Sequence, residues 1–198
     1  VGLRELYPYK ELWVVQGWSR LGIAIEPADV KFARVEIGVF PTFFLGRREA
    51  LKLVEEQVRA FWGFELRPYQ RTAILHILQP YIAGLGYEEP LTVVVLPTGA
   101  GKSVIFQGVA LALSRVAGGT TVVISPLLAL IEDQVRGLQS RGIRVGRIDG
   151  TVPSRLKVRV VREALQGRIP IVYMTPEQLQ NPQVARLLTE GDVNLVVF

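Results

Sequence analysis

Leu91-Thr92-Val93-Val94-Val95-Leu96-Pro97-Thr98-Gly99-Ala100-Gly101-Lys102-Ser103 is the stretch on which the fold turns. It opens as a short, almost unbroken apolar run, the pattern of a buried parallel strand. It closes on two glycines, a lysine and a serine, after which Ile105, Val109, Ala112 and Leu113 recur at helical spacing. Strand, glycine-rich loop and helix in that order make a cradle for phosphate. Backbone N–H groups converge on phosphate oxygens only where glycine permits close approach or positive φ. The helix N-terminus adds the positive end of its dipole. Lys102 is expected to reach the β- and γ-phosphates and Ser103 to ligate Mg2+. The candidate nucleotide residues are therefore Pro97, Thr98, Gly99, Ala100, Gly101, Lys102 and Ser103, with Lys102 and Ser103 the catalytic pair. Leu96 stands where the strict pattern has glycine, a relaxation that favours some nucleotide-binding families over others.

Downstream the period alternates. Strands are expected at 121–124, 143–148, 171–174 and 193–198, with helices at 127–141, 153–166 and 176–189 between them. The expected inward residues are Leu128, Ile131, Val135 and Leu138 on one helix, and Leu156, Val160 and Ala164 on the next. Five strands separated by four helices specify an α/β fold, a mainly parallel sheet covered by helices on both faces. Loops at the carboxyl ends of such strands are where ligands bind. Here those loops carry Ser125-Pro126-Leu127 and Thr175-Pro176-Glu177. Both also read as helix caps, with Thr175 and Gln178 spaced as a capping box and Asn181-Pro182 able to start a further helix.

Upstream, Phe64-Glu65-Leu66-Arg67-Pro68-Tyr69-Gln70 precedes another helix. The Gln70 amide can pair with N6 and N7 of adenine, Phe64 can stack near the base, and Arg67 can support the loop. The bland alternative is that Pro68 starts a helix and Gln70 lies exposed on it. The first sixty or so residues hold all the tryptophans and most of the aromatics, with β-leaning runs at 12–15 and 35–40 before a helix from about residue 47 to 62. They read as an aromatic-rich accessory segment, 1–60, packed on an ATP-binding domain at 61–198.

Composition narrows the function classes. Zero cysteines exclude disulfides and thiolate metal sites, which suits a cytoplasmic protein. A single histidine, His76, makes no metal site. No apolar stretch is long enough to span a bilayer, and no secretory leader opens the chain. Net charge is +5 and unevenly placed: residues 136–168 hold nine Lys or Arg against Asp149 and Glu163 alone. That excess, with Arg155 and Arg159 on one helix face, reads either as a phosphate-attracting surface or as a solvated helix face. The start at Val1 and the stop at Phe198 within an apolar strand read as the ends of a fragment.

The motifs taken together resemble those of RecQ-type superfamily 2 DNA helicases. The likeness lies in Arg67-Pro68-Tyr69-Gln70, in Leu96 to Ser103, in Val123 through Val135, and in Tyr173 through Leu179. It covers residues 60–198 and implies the first RecA-like domain of such an enzyme. Two departures stand out, a long stretch between Gln70 and the phosphate loop and the aromatic N-terminal segment. The resemblance implies ATP and Mg2+ as cofactors and single-stranded DNA or a duplex junction as partner. It implies DNA backbone contacts from Ser125, Pro126, Leu127, Thr175, Pro176 and Glu177. The acidic box that would follow the last strand in that family does not occur in the chain, so this polypeptide is expected to bind nucleotide weakly and hydrolyse it negligibly. Three alternatives are a translocase that never separates strands, a nucleic-acid-binding module with a vestigial nucleotide site, and a small-molecule kinase. Gln70 and Ser125 to Leu128 argue against the kinase.

Overall fold

The computed structural model describes residues 45–82 and 92–198 in full, and the backbone of residues 13–16. Four strands, β3 (Thr120–Ile124), β4 (Val145–Ile148), β5 (Ile171–Met174) and β6 (Val193–Val197), form a parallel sheet in the order β4-β5-β3-β6. β3 and β5 are buried along their whole length, because helices cover both faces of the sheet. The alternation of side chains along each strand divides the core. Val122, Ile124, Val172 and Met174 face α5 (Ser154–Leu165) and α6 (Pro182–Glu190), where Val161, Ala164, Val184 and Leu187 meet them. On the other face, Val123, Ile171 and Tyr173 meet α3 (Lys102–Ala117) and α4 (Leu128–Gln139) through Ala110, Leu111, Ile131, Val135 and Leu138. The expected α/β class, a parallel sheet covered on both faces, is what the chain forms.

A second apolar core lies along α3. There α1 (Arg47–Trp62) and α2 (Pro68–Ile77) pack on α3 through Val54, Val58, Ala73, Ile74, Val109 and Leu113. The approach of α1 is so close that a Cβ on Gly108 would stand 2.9 Å from a methyl of Val58. The Tyr81 hydroxyl donates to the Asn194 carbonyl and ties this core to the edge of β6.

Several expectations need correcting. β2 (Thr92–Val95), the strand that leads into the phosphate loop, is not a fifth member of the parallel sheet. It pairs antiparallel with β1 (Trp13–Gln16), and Val93 and Val95 are exposed. An apolar run reports that a segment is extended and hydrophobic, but not which neighbour it pairs with. Within 176–189 a 3-10 turn (Pro176–Gln180) precedes α6, and Asn181 caps α6 by accepting from the Gln183 N–H at 3.0 Å. Thr175 caps nothing with its side chain: the Gln178 N–H donates to the Thr175 backbone carbonyl at 3.0 Å, and the Thr175 hydroxyl donates to the Glu177 carboxylate. Leu128 and Leu156 point outward. On α5 Ala164 is buried as expected and Val160 packs half-buried on the core, with Val161 beside them in place of Leu156. The β-leaning run at 35–40 and residues 83–91 of the stretch between Gln70 and the phosphate loop lie outside the described residues.

Candidate nucleotide-binding site

The loop between β2 and α3 is held open to phosphate by its backbone. Gly99 and Gly101 have φ of 81° and 77°, in the left-handed region that side chains disfavour. Gly101 is required twice over, since a Cβ there would also lie 2.7 Å from the Gln70 amide nitrogen. Directly after it Lys102 and Ser103 begin α3, so the loop runs straight into the helix N-terminus, where anions are favoured. The Lys102 ammonium donates to the carbonyls of Leu96 at 2.7 Å and Pro97 at 3.0 Å, folded back across the loop it would serve. Arg67, Tyr69 and residues 96–100 line a cleft of about 230 Å3 at this point. That is below the roughly 300–1,000 Å3 of small-molecule sites, so the cleft as it stands matches a phosphate group better than a whole nucleotide.

α2 supports the loop from below. Gln70 supplies half of a capping box: its side-chain oxygen accepts from the Arg67 N–H at 2.9 Å, while the Arg67 guanidinium, a donor only, returns no bond. The Gln70 amide nitrogen makes long contacts of 3.4 Å to the carbonyls of both Ala100 and Gly101. Gln70 is buried, not exposed on its helix, and its amide is engaged with the protein. Tyr69, which the motif treats as a variable position, does as much: its hydroxyl donates to the Ala100 carbonyl at 2.9 Å, and Arg67 donates to the Tyr69 oxygen at 3.3 Å. Phe64 is exposed and does not line the cleft. No spacing rule singles out Tyr69, because its partner lies thirty-one positions away.

Ser103 is met from the other side. Its hydroxyl oxygen accepts from Gln134 on α4 at 3.1 Å. Gln134 in turn accepts from Gln107, which also donates to the Tyr173 hydroxyl at 2.9 Å. Burial pushes the Tyr173 phenol up to about 12, so it stays protonated at any physiological pH.

The expected nucleic-acid residues collect on neighbouring elements. The Ser125 N–H donates to the Met174 carbonyl at 3.0 Å and the Thr175 N–H to the Ile148 carbonyl at 3.2 Å, so the loops after β3, β4 and β5 share one edge of the sheet. Lys157 on α5 donates to the Gln178 side chain at 2.9 Å, which brings the helix carrying Arg155 and Arg159 beside the Thr175–Glu177 turn. Pro126, Leu127, Leu128, Pro176 and Glu177 are exposed; Thr175 is buried. Arg159 is paired with Glu163 in an exposed ion pair, and Arg147 is claimed by Glu132 and the fully buried Asp149. Burial pushes the Asp149 carboxyl up, but hydrogen bonds from Arg147 and Thr151 outweigh it and hold the group below its ordinary range. The positive excess read along the sequence is thus partly spent within the fold.

A family profile described as DEAD/DEAH box helicase matches residues 67–198. This chain belongs to that family. It is 32% identical to the ATP-dependent DNA helicase RecQ of Synechocystis sp. over 142 residues, which are 72% of this chain and 27% of that protein. It is 37% identical to the RecQ helicase of Bacillus subtilis over 107 residues, 54% of this chain and 17% of that protein. The likeness to RecQ-type helicases carried by the motifs extends over half to three quarters of the chain, while the chain spans about a quarter or less of the length of these relatives. Among the described residues no helix is long and apolar enough to cross a membrane, and no group of three His, Asp or Glu is placed to hold a metal ion.

Proposed function

We propose that this chain is the ATP-binding lobe of a RecQ-type DNA helicase, and that the whole protein couples ATP hydrolysis to movement along single-stranded DNA. The observation that carries the reading is the phosphate loop. Two positive-φ glycines precede Lys102 and Ser103 at the start of α3, and a Cβ on Gly101 would displace the Gln70 amide packed beneath it. An incoming triphosphate exchanges the Lys102 contacts with Leu96 and Pro97 for its own oxygens and gains the loop amides and the helix dipole. A divalent cation carried on the phosphates takes the Ser103 hydroxyl as its ligand from this lobe and neutralises charge there. Arg67 on the cleft and the exposed Phe64 receive the base, with Gln70 able to read adenine only if its contacts beneath the loop are exchanged.

The DNA strand lies along the edge formed by Ser125, Pro126, Leu127, Thr175 and Pro176, with Arg155 and Arg159 drawing its phosphates from α5. Support for this comes from the hydrogen bonds that join those loops and from the Lys157 link to the 3-10 turn. Glu177 is a carboxylate on that edge and repels phosphate, so any contact it makes is with a base or sugar donor. The division into an N-terminal segment, 1–60, and a RecA-like domain, 61–198, belongs to the same proposal. The test is ATP hydrolysis by the full-length protein with and without single-stranded DNA, followed by unwinding of a tailed duplex. DNA-stimulated hydrolysis that Lys102→Ala abolishes supports the reading. Hydrolysis without unwinding makes it a translocase, and no DNA stimulation defeats the reading.

A further inference from the structure

Three polar side chains from three separate elements meet behind the phosphate loop, and the loop's own chemistry does not need them. The Gln134 side-chain nitrogen donates to the Ser103 hydroxyl at 3.1 Å. Its oxygen accepts from Gln107 and, at 3.5 Å, from the Tyr173 hydroxyl, while Gln107 also donates to the Tyr173 oxygen at 2.9 Å. Gln107 and Tyr173 are 4% and 1% exposed. Their bonds to one another cap no helix end and complete no strand ladder. Replacing buried polar partners with apolar groups of the same shape is often nearly neutral for stability, so stability alone does not account for this cluster.

What the cluster does is join places. Ser103 is the second residue of α3 and sits at the phosphate loop. Gln134 is on α4, which starts directly after Ser125-Pro126-Leu127. Tyr173 is on β5, two residues before Thr175. One half-buried amide therefore touches a loop expected to hold nucleotide, and hangs from the two elements whose ends form the proposed DNA edge. Gln134 also has somewhere to go. A cavity of about 170 Å3, lined among others by Trp62, Ser103, Gln107, Asp133 and Arg141, opens beside it. Polar groups line that cavity, so an amide turned into it finds new partners.

We propose that Gln134 is a positioning residue that orients the Ser103 hydroxyl and, through Gln107 and Tyr173, links occupancy of the phosphate loop to the DNA edge. When nucleotide engages the Ser103 oxygen, the Gln134 amide gives up that bond and turns toward the cavity, and the bonds that hold Tyr173 are redistributed. By linkage the effect is reciprocal, so DNA on the edge alters affinity for nucleotide by the same factor. This inference rests on the phosphate loop being a nucleotide site.

The test is a titration of the protein with a fluorescent ATP analogue, with and without a saturating thymidine oligonucleotide. The proteins compared are wild type, Gln134→Met, Tyr173→Phe and Lys102→Ala. The quantity read is the ratio of the two dissociation constants. In the wild type it is expected to differ from one by about fivefold or more, the lower end of ordinary coupling. Tyr173→Phe touches neither ligand and should bring the ratio to within about twofold of one, while nucleotide affinity without DNA changes less than threefold. Gln134→Met should also bring the ratio to within about twofold of one, but it removes the partner of Ser103 and is therefore expected to change nucleotide affinity without DNA as well. Variants that keep the wild-type ratio, or a wild-type ratio of one, overturn the proposal. If either variant fails to fold, the side-chain amide resonance of Gln134 in the wild type decides, since it must shift when the analogue is added and a stationary signal overturns the idea. Wild-type protein that binds no analogue defeats the nucleotide-site reading itself, a different failure from binding without coupling.

Discussion

The phosphate loop and the loops after β3, β4 and β5 solve the same problem, holding a loop in place, by different means. The phosphate loop is shaped locally: its glycines fix the backbone, and α2 presses Tyr69 and Gln70 against the carbonyls of Ala100 and Gly101. The loops after β3, β4 and β5 owe their position to strand order, with backbone bonds such as Ser125 to Met174 and Thr175 to Ile148 running between neighbouring strand ends. A locally shaped loop is sensitive to single atoms. A loop placed by sheet topology tolerates changes at its surface and fails when the sheet itself is disturbed.

The largest break in that contrast should come from Arg147→Ala. It leaves the fully buried Asp149 carboxylate without its cation and should destabilise the protein by about 3 kcal/mol, the cost of removing one partner of a buried pair, read by denaturant unfolding. Acid should weaken the same place. Because the folded-state pKa of Asp149 is depressed, its contribution is fully present above the ordinary carboxylate pKa of about 3.9 and drains away as pH falls below it. Protein with Arg147→Ala should lose less stability than wild type between pH 5 and 3, and equal losses would mean that other carboxylates carry the acid transition.

Gly101→Ala should come next. Its Cβ would both strain the backbone and meet Gln70, costing about 1–3 kcal/mol in loop geometry and lowering affinity for an ATP analogue by about tenfold or more, with the sheet intact by circular dichroism. An alanine variant that binds as wild type would show that the loop is less exactly shaped than its dihedrals indicate. Smaller still is the effect at the other edge. Arg155→Glu should weaken binding of single-stranded DNA and lower the salt dependence by roughly one phosphate, leaving nucleotide affinity unchanged. Arg159→Glu should do less, because Arg159 already has Glu163 as partner. The smallest expected change is at Leu156, exposed on α5, where Leu156→Lys should shift stability by no more than about 0.5 kcal/mol.

How much was legible in the sequence follows the same division. The phosphate loop could be read because its chemistry lies in eight consecutive residues. The alternation of strand and helix after residue 120 gave the parallel sheet for a similar reason, since periodicity is a local property. Partner choice is not local. The run at 91–96 reads as a buried central strand, yet β2 pairs with residues 13–16, and hydrophobicity carries no record of that pairing. Counting in fours puts Leu156 inward with Val160 and Ala164, yet Leu156 is exposed and Val161, one residue round the helix, completes the buried side. Thr175 and Gln178 have the spacing of a capping box, but Glu177 stands closer to the hydroxyl and takes it. The Gln107, Gln134 and Tyr173 cluster left no trace at all, because its members lie twenty-seven to sixty-six positions apart and meet only after folding.

The central claim, that the loop before α3 is a working phosphate site, is tested most directly by titrating this chain with a fluorescent ATP analogue, with and without Mg2+, beside Lys102→Ala. Saturable binding that Mg2+ strengthens and Lys102→Ala abolishes is the predicted result. Equal binding by both proteins, or none by either, would contradict it.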